Sequence, residues 1–94
     1  MLPLFKFKIE GNSMIPAFNP GDVILVNRLS YLLSKPKIGD IVVLKRGRYI
    51  IKRIAKIKKK KLFVAGDNKR ESTDSRSFDW ADKKELVGKV MLKI

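Results

Sequence analysis

The chain has 94 residues, of which 45% are hydrophobic, so a single small globular domain spanning 1–94 is expected rather than a disordered chain. Its 22 Lys and Arg against 9 Asp and Glu give a net charge of +13, which favours acidic partners such as nucleic acid, anionic lipid or an acidic protein. Because it contains no Cys and no His, it cannot use disulfides, thiolates, imidazole bases or cysteine-based metal sites, and we expect neither a metal nor a cofactor.

Short apolar runs separated by turn residues predict a mainly β fold. Phe5, Phe7 and Ile9 alternate with lysines, as in a strand with one buried face. Residues 29–33 fit either a helical turn or an apolar loop, and residues 79–85 fit a short helical or turn segment. Further strands are predicted at 22–27, 41–44, 49–57, 62–65 and 86–92, with a charged hairpin tip at 58–61. The close spacing of these strands favours a small antiparallel sheet or barrel.

The first motif is the segment 11–16, Gly-Asn-Ser-Met-Ile-Pro. Ser13 lies between a flexible glycine and an apolar run, so a tight loop could present its hydroxyl and direct its backbone N–H at a substrate oxyanion. Serine also caps turns commonly, so this segment by itself leaves a purely structural role open.

The second motif is Lys52-Arg53-Ile54 inside the long predicted strand. Alternation puts Ile50, Lys52 and Ile54 on one face and Arg53 on the other, so one of the two cations is expected to share a face with the core. Burial disfavours the charged form of lysine and lowers its pKa, which would make the amine a general base. The alternative is a lysine whose ammonium reaches solvent along an exposed face.

The third motif is the segment 66–76, Gly-Asp-Asn-Lys-Arg-Glu-Ser-Thr-Asp-Ser-Arg. Ser72 could donate or accept a hydrogen bond with a nearby neutral amine and so hold that amine in orientation. Asp74 and Arg76 could pair with each other or brace a neighbour. Side chains of this kind also bond to local backbone, so a rigid compound turn is the alternative.

In this order the three motifs resemble the type I signal peptidase (S26) family of Ser/Lys proteases, from about residue 10 to residue 90. The resemblance implies a mostly antiparallel β catalytic core. It also implies that Ser13 is the nucleophile and that its backbone N–H stabilises the oxyanion. Lys52 would then be the general base, Ser72 would orient it, and Asp74 and Arg76 would support the site.

Because the chain is short, the resemblance is narrowed to one compact branch of this family. Segments 11–14 and 71–78 are most similar to the compact branch of nickel-type superoxide dismutase maturation proteases. The implied activity is removal of an N-terminal signal or pro-segment from a precursor protein. Gly11 stands where some members carry an oxyanion-stabilising hydroxyl, so the Ser13 N–H is expected to act with little help from side chains.

A second class of function stays open at this point. A non-catalytic basic β-barrel could bind single-stranded nucleic acid or peptides through charge and aromatic stacking, and the lysines at 56–61 support that interpretation. It does not account for the third motif, so we expect a precursor or its signal peptide as the partner and not nucleic acid. No stretch approaches the apolar length of a membrane span, which predicts a cytoplasmic protein or one peripheral at an anionic membrane.

Overall fold

A computed structural model describes residues 4–68 and 80–94 of the chain. Its elements are β1 (Leu4–Lys8), β2 (Val23–Asn27), α1 (Ser30–Leu33), β3 (Ile41–Arg46), β4 (Arg48–Lys58), β5 (Lys61–Ala65), β6 (Ala81–Asp82), a 3₁₀ turn (Lys83–Glu85) and β7 (Leu86–Lys93). Within the described ranges the strands form one curled seven-stranded antiparallel sheet in the order β1-β2-β7-β3-β4-β5-β6. The predicted mainly β, antiparallel fold is confirmed.

The predicted strands lie within two residues of the observed ones, and two ambiguous segments are now assigned. Residues 29–33 contain the short helix α1, so the helical-turn interpretation is confirmed rather than the apolar loop. Residues 79–85 contain the two-residue strand β6 before the 3₁₀ turn, and β6 was not predicted. β6 has only two residues, which pair with Lys61 and Leu62. Two residues are too few to show an alternating pattern in the sequence.

Apolar clusters cover both faces of the sheet. β3 contributes to both of them, since Val43 packs into the first cluster while Val42 and Leu44 pack into the second. The first cluster comprises Ile9, Met14, Phe18, Ile24, Val26, Val43, Ile51 and Val90. The second comprises Val42, Leu44, Ile54, Leu62, Val64 and Ala81. Burial on both faces explains why β3 begins as a continuous apolar run rather than an alternating one.

Among the strand edges that have no neighbouring strand within the described residues, those of β1 and β4 bear on the site. β1 pairs along one edge only, with β2. β4 pairs with β3 from Arg48 onward, whereas its pairing with β5 begins only at Arg53. Because neighbours throughout the sheet are antiparallel, the strand order makes β1 and β4 run in the same direction.

Gly88 lies where β7 passes close to β2, and we expect the Gly88→Ala variant to be destabilised. A Cβ at position 88 would lie 2.6 Å from the carbonyl oxygen of Asn27 and 2.8 Å from Cγ1 of Val26. Contact with backbone cannot be relieved by rotating a side chain, so the free energy of unfolding should fall by about 1–3 kcal/mol.

Denaturant unfolding measures this loss. The control is Met91→Ala on the same strand, where the side chain is 50% exposed and the change should stay within about 0.5 kcal/mol. Equal effects of the two substitutions would show that the close approach at Gly88 does not constrain the sheet.

Candidate active site

A cleft of about 620 Å³ lies between β1 with its following loop and the first part of β4. Residues 6–14 line one wall and residues 48–52 line the other. Phe7 and Tyr49 join the walls, because their rings pack edge to face with centroids 6.1 Å apart. Ser13 and Lys52 line the same cleft, so the fold brings the first two motifs together.

The loop that carries Ser13 is shaped at one end and anchored at the other. Gly11 adopts a φ of +76°, a left-handed conformation that turns the chain away from β1 and that other residues adopt at a cost. After the serine, Met14 and Phe18 are buried in the first apolar cluster, and Phe18 N–H donates to the Met14 carbonyl at 2.9 Å. Ser13 is therefore held partly buried at the edge of the cleft.

Lys52 is only 4% exposed and is the one charged residue that is buried among the described residues. Its cross-strand partner is Val42, which is fully buried, and Ile54 follows on the same face of β4. No buried side-chain nitrogen or oxygen in the described part of the chain lacks a hydrogen-bond partner. The prediction that one central cation shares a face with the core is confirmed, and that cation is Lys52.

Arg53 lies on the opposite face of β4 and binds the beginning of the third motif. Its Nε and Nη2 donate to the two carboxylate oxygens of Asp67 at 2.9 and 2.8 Å, and its Nη1 donates to the Gly39 carbonyl at 3.0 Å. The hydrogen bonds that Arg53 donates to the Asp67 carboxylate raise the pKa of Arg53, since they favour the charged guanidinium. Two parallel bonds of this kind fix direction as well as distance.

Asn68, the next residue, binds the loop that carries the serine. Its backbone N–H donates to the Ser13 carbonyl at 2.8 Å, and its side-chain amide donates to the Asn12 carbonyl at 3.1 Å. The described beginning of the third motif therefore contacts both of the other motifs. At Asp67 and Asn68 the sequence predicted only a turn. The signal for their role was Arg53, a cation within a largely apolar strand, which needs an acidic partner.

The remaining site predictions fall elsewhere. Ser72, Asp74 and Arg76 lie outside the described residues, so their roles stay predictions.

The contacts of the described residues include no hydrogen bond between Ser13 Oγ and Lys52 Nζ. Catalytic hydrogen bonds often tighten only in the substrate complex. Within 4–68 and 80–94 no three acidic side chains converge on a position that could hold a metal ion.

Two comparisons with known proteins bear on this arrangement. A family model described as "Peptidase S24-like" matches residues 2–91. The chain is also 29% identical, over a 113-residue alignment, to the "Mitochondrial ATP-independent inner membrane protease subunit 1a" of Arabidopsis thaliana. That alignment covers 92% of this chain and 67% of the relative.

No helix among the described residues is both long and apolar enough to cross a membrane.

We expect Arg53→Lys to release the beginning of the third motif from the site. A lysine cannot make the paired bonds to Asp67 while also reaching Gly39, so Asn68 should lose its support. Hydrogen exchange of the Asn68 amide, which donates to Ser13, should then quicken by about tenfold or more, because local opening exposes that bond.

The matched control is Arg46→Lys. Arg46 makes a similar paired contact with Glu85, beside the 3₁₀ turn, and its loss should leave exchange at Asn68 unchanged. Unaltered exchange at Asn68 in Arg53→Lys would mean that the Arg53–Asp67 pair does not hold the loop.

Proposed function

This chain belongs to the Peptidase S24-like family, and we propose that it is a serine endopeptidase in which Ser13 is the nucleophile and Lys52 the general base. Its relationship to known proteins is of the signal-peptidase type. The observation that carries the proposal is that a buried lysine and a serine on an anchored loop line one cleft.

The chemistry follows from the environment of Lys52. Burial disfavours the ammonium relative to the neutral amine, and a neutral amine can accept the proton of the Ser13 hydroxyl. Ser13 Oγ then attacks the scissile carbonyl carbon, and the backbone N–H of Ser13 stabilises the oxyanion. When the intermediate collapses, Lys52 returns the proton to the departing amine and an acyl ester remains on Ser13.

The second half of the reaction uses the same groups. Lys52 takes a proton from water, and the resulting hydroxide attacks the acyl ester. Collapse of that intermediate releases the new carboxyl terminus and restores the Ser13 hydroxyl. In this proposal Ser72 orients the Lys52 amine, while Asp74 and Arg76 support the site.

The edges of β1 and β4 that have no neighbouring strand among the described residues support an extended substrate. The outer edge of β1 and the edge of β4 before Arg53 both contribute residues to the cleft, and they run in the same direction. An extended peptide could add to either edge through backbone hydrogen bonds and leave its side chains to set specificity. We propose a precursor protein cleaved after an N-terminal signal or pro-segment, with small side chains near the cut.

The identity of the proposed precursor rests on the sequence resemblance of the motifs and not on the geometry of the cleft. The first and third motifs are similar to those of nickel-type superoxide dismutase maturation proteases, so a precursor of that dismutase is the candidate we propose for testing.

We further propose that the protein works at the surface of an anionic membrane. The relative's name describes an inner membrane protease, and this chain carries a net charge of +13. Lys6, Leu25 and Leu92 lie opposite one another across β1, β2 and β7, so they share one face of the sheet. Leu92 and Ile94 on that side are 52% and 61% exposed. Exposed apolar side chains beside lysines fit the interface of an anionic bilayer.

We expect Ser13→Ala and Lys52→Arg each to lower the cleavage rate by about 10³-fold or more while the fold persists, since the two residues act as one unit. A guanidinium keeps the positive charge but cannot act as a base at working pH. For the same reason the double variant should be little worse than either single one. The measurement is cleavage of an internally quenched alanine-rich peptide and of the dismutase precursor, followed across pH.

The wild-type rate should rise with pH and reach its plateau below the range of a free lysine, about pKa 10.4, because burial favours the neutral amine. Lys56→Arg, an exposed lysine on the same strand, is the matched control and should cleave normally. Near-normal cleavage by Lys52→Arg would place the base elsewhere, and salt-resistant nucleic-acid binding without proteolysis would favour the non-catalytic class.

For the membrane contact, we expect Leu92→Asp to weaken binding to phosphatidylglycerol vesicles by about tenfold, since it puts a carboxylate on the apolar face. Wild-type binding should also fall as salt is raised. Ile38→Asp, at an apolar side chain that is 68% exposed in the loop before β3, should have a much smaller effect. Equal effects of the two variants, or binding to neutral vesicles with the same affinity, would contradict this face as the contact.

A further inference from the structure

Asn68 makes two hydrogen bonds to consecutive carbonyl groups of the serine loop. Its side-chain amide donates to the Asn12 carbonyl at 3.1 Å, and its backbone N–H donates to the Ser13 carbonyl at 2.8 Å. The sequence separates Asn68 from this loop by more than fifty residues, so the contact is a product of the tertiary fold. The Asn12 carbonyl also accepts the Ile15 N–H at 3.2 Å, and Asn68 adds a second donor to it. Asn68 thus binds both peptide groups that flank the Ser13 α-carbon.

Each carbonyl group shares a planar peptide with an N–H group, so a hydrogen bond that orients the carbonyl also orients that N–H. In a trans peptide the C=O and the N–H lie in one plane and point in opposite directions. The Asn12 carbonyl shares its peptide with the Ser13 N–H, and the Ser13 carbonyl shares its peptide with the Met14 N–H. When Asn68 binds both carbonyl oxygens, the N–H groups of Ser13 and Met14 are directed away from Asn68.

The side of the loop opposite Asn68 is the cleft. Asn12, Ser13 and Met14 line the cleft, whereas Asn68, which is also among the described residues, does not. We take Asn68 to lie on the side of the loop away from the cleft, an arrangement that would direct the N–H groups of Ser13 and Met14 toward the space in which a substrate carbonyl is attacked. Preorganised backbone N–H groups aimed at developing negative charge are the usual means of stabilising an oxyanion.

We infer that Asn68 is a positioning residue that aims the backbone N–H groups of Ser13 and Met14 at the oxyanion. This inference rests on the proposed function, because it assigns a role within the same reaction. It adds the Met14 N–H as a second donor and explains how the site works with glycine at position 11, where no side-chain hydroxyl is available. Asn68 touches no reacting atom and acts only through the loop.

The strand that carries the proposed base also holds Asn68. Arg53 follows Lys52 on β4 and binds Asp67 with two hydrogen bonds, and Asp67 directly precedes Asn68. Lys52 is among the residues that line the cleft, while Arg53, on the other face of the strand, holds the support of the serine loop. The relative placement of base and oxyanion donors is thus set by two adjacent residues.

The test compares Asn68→Ala and Asn68→Asp with the wild-type chain. Both substitutions remove the side-chain donor to Asn12 and keep the backbone donor to Ser13. With a p-nitrophenyl ester of a short alanine-rich peptide as substrate, we expect kcat to fall by about tenfold to a hundredfold and KM to change by less than about threefold.

A second readout separates positioning from a purely structural role. A boronic acid of the same peptide forms a tetrahedral adduct with Ser13 Oγ, and one boron-bound oxygen then occupies the oxyanion position. Its affinity should fall by the same factor as kcat/KM, since both depend on the transition state. The affinity of an uncleavable analogue of that peptide, with a reduced peptide bond, should stay the same.

Asn19→Ala is the matched control, because Asn19 is an exposed asparagine in the loop before β2 and contacts Asp22 rather than the site. It should leave kcat, KM and boronate affinity at wild-type values. If Asn68→Ala proves too unstable to measure, Asn68→Asp, which preserves the shape of the side chain, supplies the same comparison.

The outcomes are distinct. Loss of boronate affinity together with kcat, at constant affinity for the analogue, supports the positioning role. Wild-type kcat and boronate affinity in both Asn68 variants, or an equal loss of affinity for boronate and analogue, would overturn it while leaving Ser13 catalysis intact. A wild-type chain that neither cleaves the ester nor binds the boronate through Ser13 would instead overturn the proposed function.

Discussion

Burial of Lys52 is the constraint on which the rest of the site depends. In a chain with 22 cationic residues, Lys52 is the one that the described structure removes from solvent, against the fully buried Val42 and Ile54. Taking an ammonium out of water is costly unless the group is paired or becomes neutral. In the proposed mechanism this burial favours the neutral amine, which supplies the base that a chain without histidine otherwise lacks.

The same strand organises the site from both of its faces. Lys52 lines the cleft and pairs across the strands with Val42 of the second apolar cluster, while Arg53 on the other face binds Asp67 and so supports Asn68. Asn68 in turn holds the loop of Ser13. Among the described residues, the edge of β4 before Arg53 has no neighbouring strand, and in the proposed function its backbone groups bind an extended peptide beside these residues.

Much of this could be predicted from the sequence, because it depends on local patterns. Alternation predicted the buried face of β1 and that one of the cations Lys52 and Arg53 shares a face with the core, and turn residues marked the strand ends to within two residues. Motif order predicted that Ser13 and Lys52 belong to one site, and the fold places both in one cleft. The strand pattern is set by neighbours two to four residues away, whereas the pairing of Ser13 with Lys52 was implied by the resemblance of the three motifs.

The structural features that could not be predicted from the sequence depend on contacts between distant segments. The placement of β7 between β2 and β3 leaves no local signal, and neither does the close approach that requires Gly88. Asn68 has the composition of a turn residue, and only the assembled sheet shows that it binds the serine loop. β6 is stabilised by its partner strand rather than by its own two residues.

The most direct test of the central claim is to trap the acyl group and locate it. The wild-type chain and Lys52→Arg are mixed with the p-nitrophenyl ester, quenched within one turnover, and analysed by intact mass and peptide mapping. We expect a single acyl group on Ser13 in the wild-type chain and acylation slower by about 10³-fold or more in the variant. An acyl group on another residue, or acylation of Lys52→Arg at the wild-type rate, would contradict it.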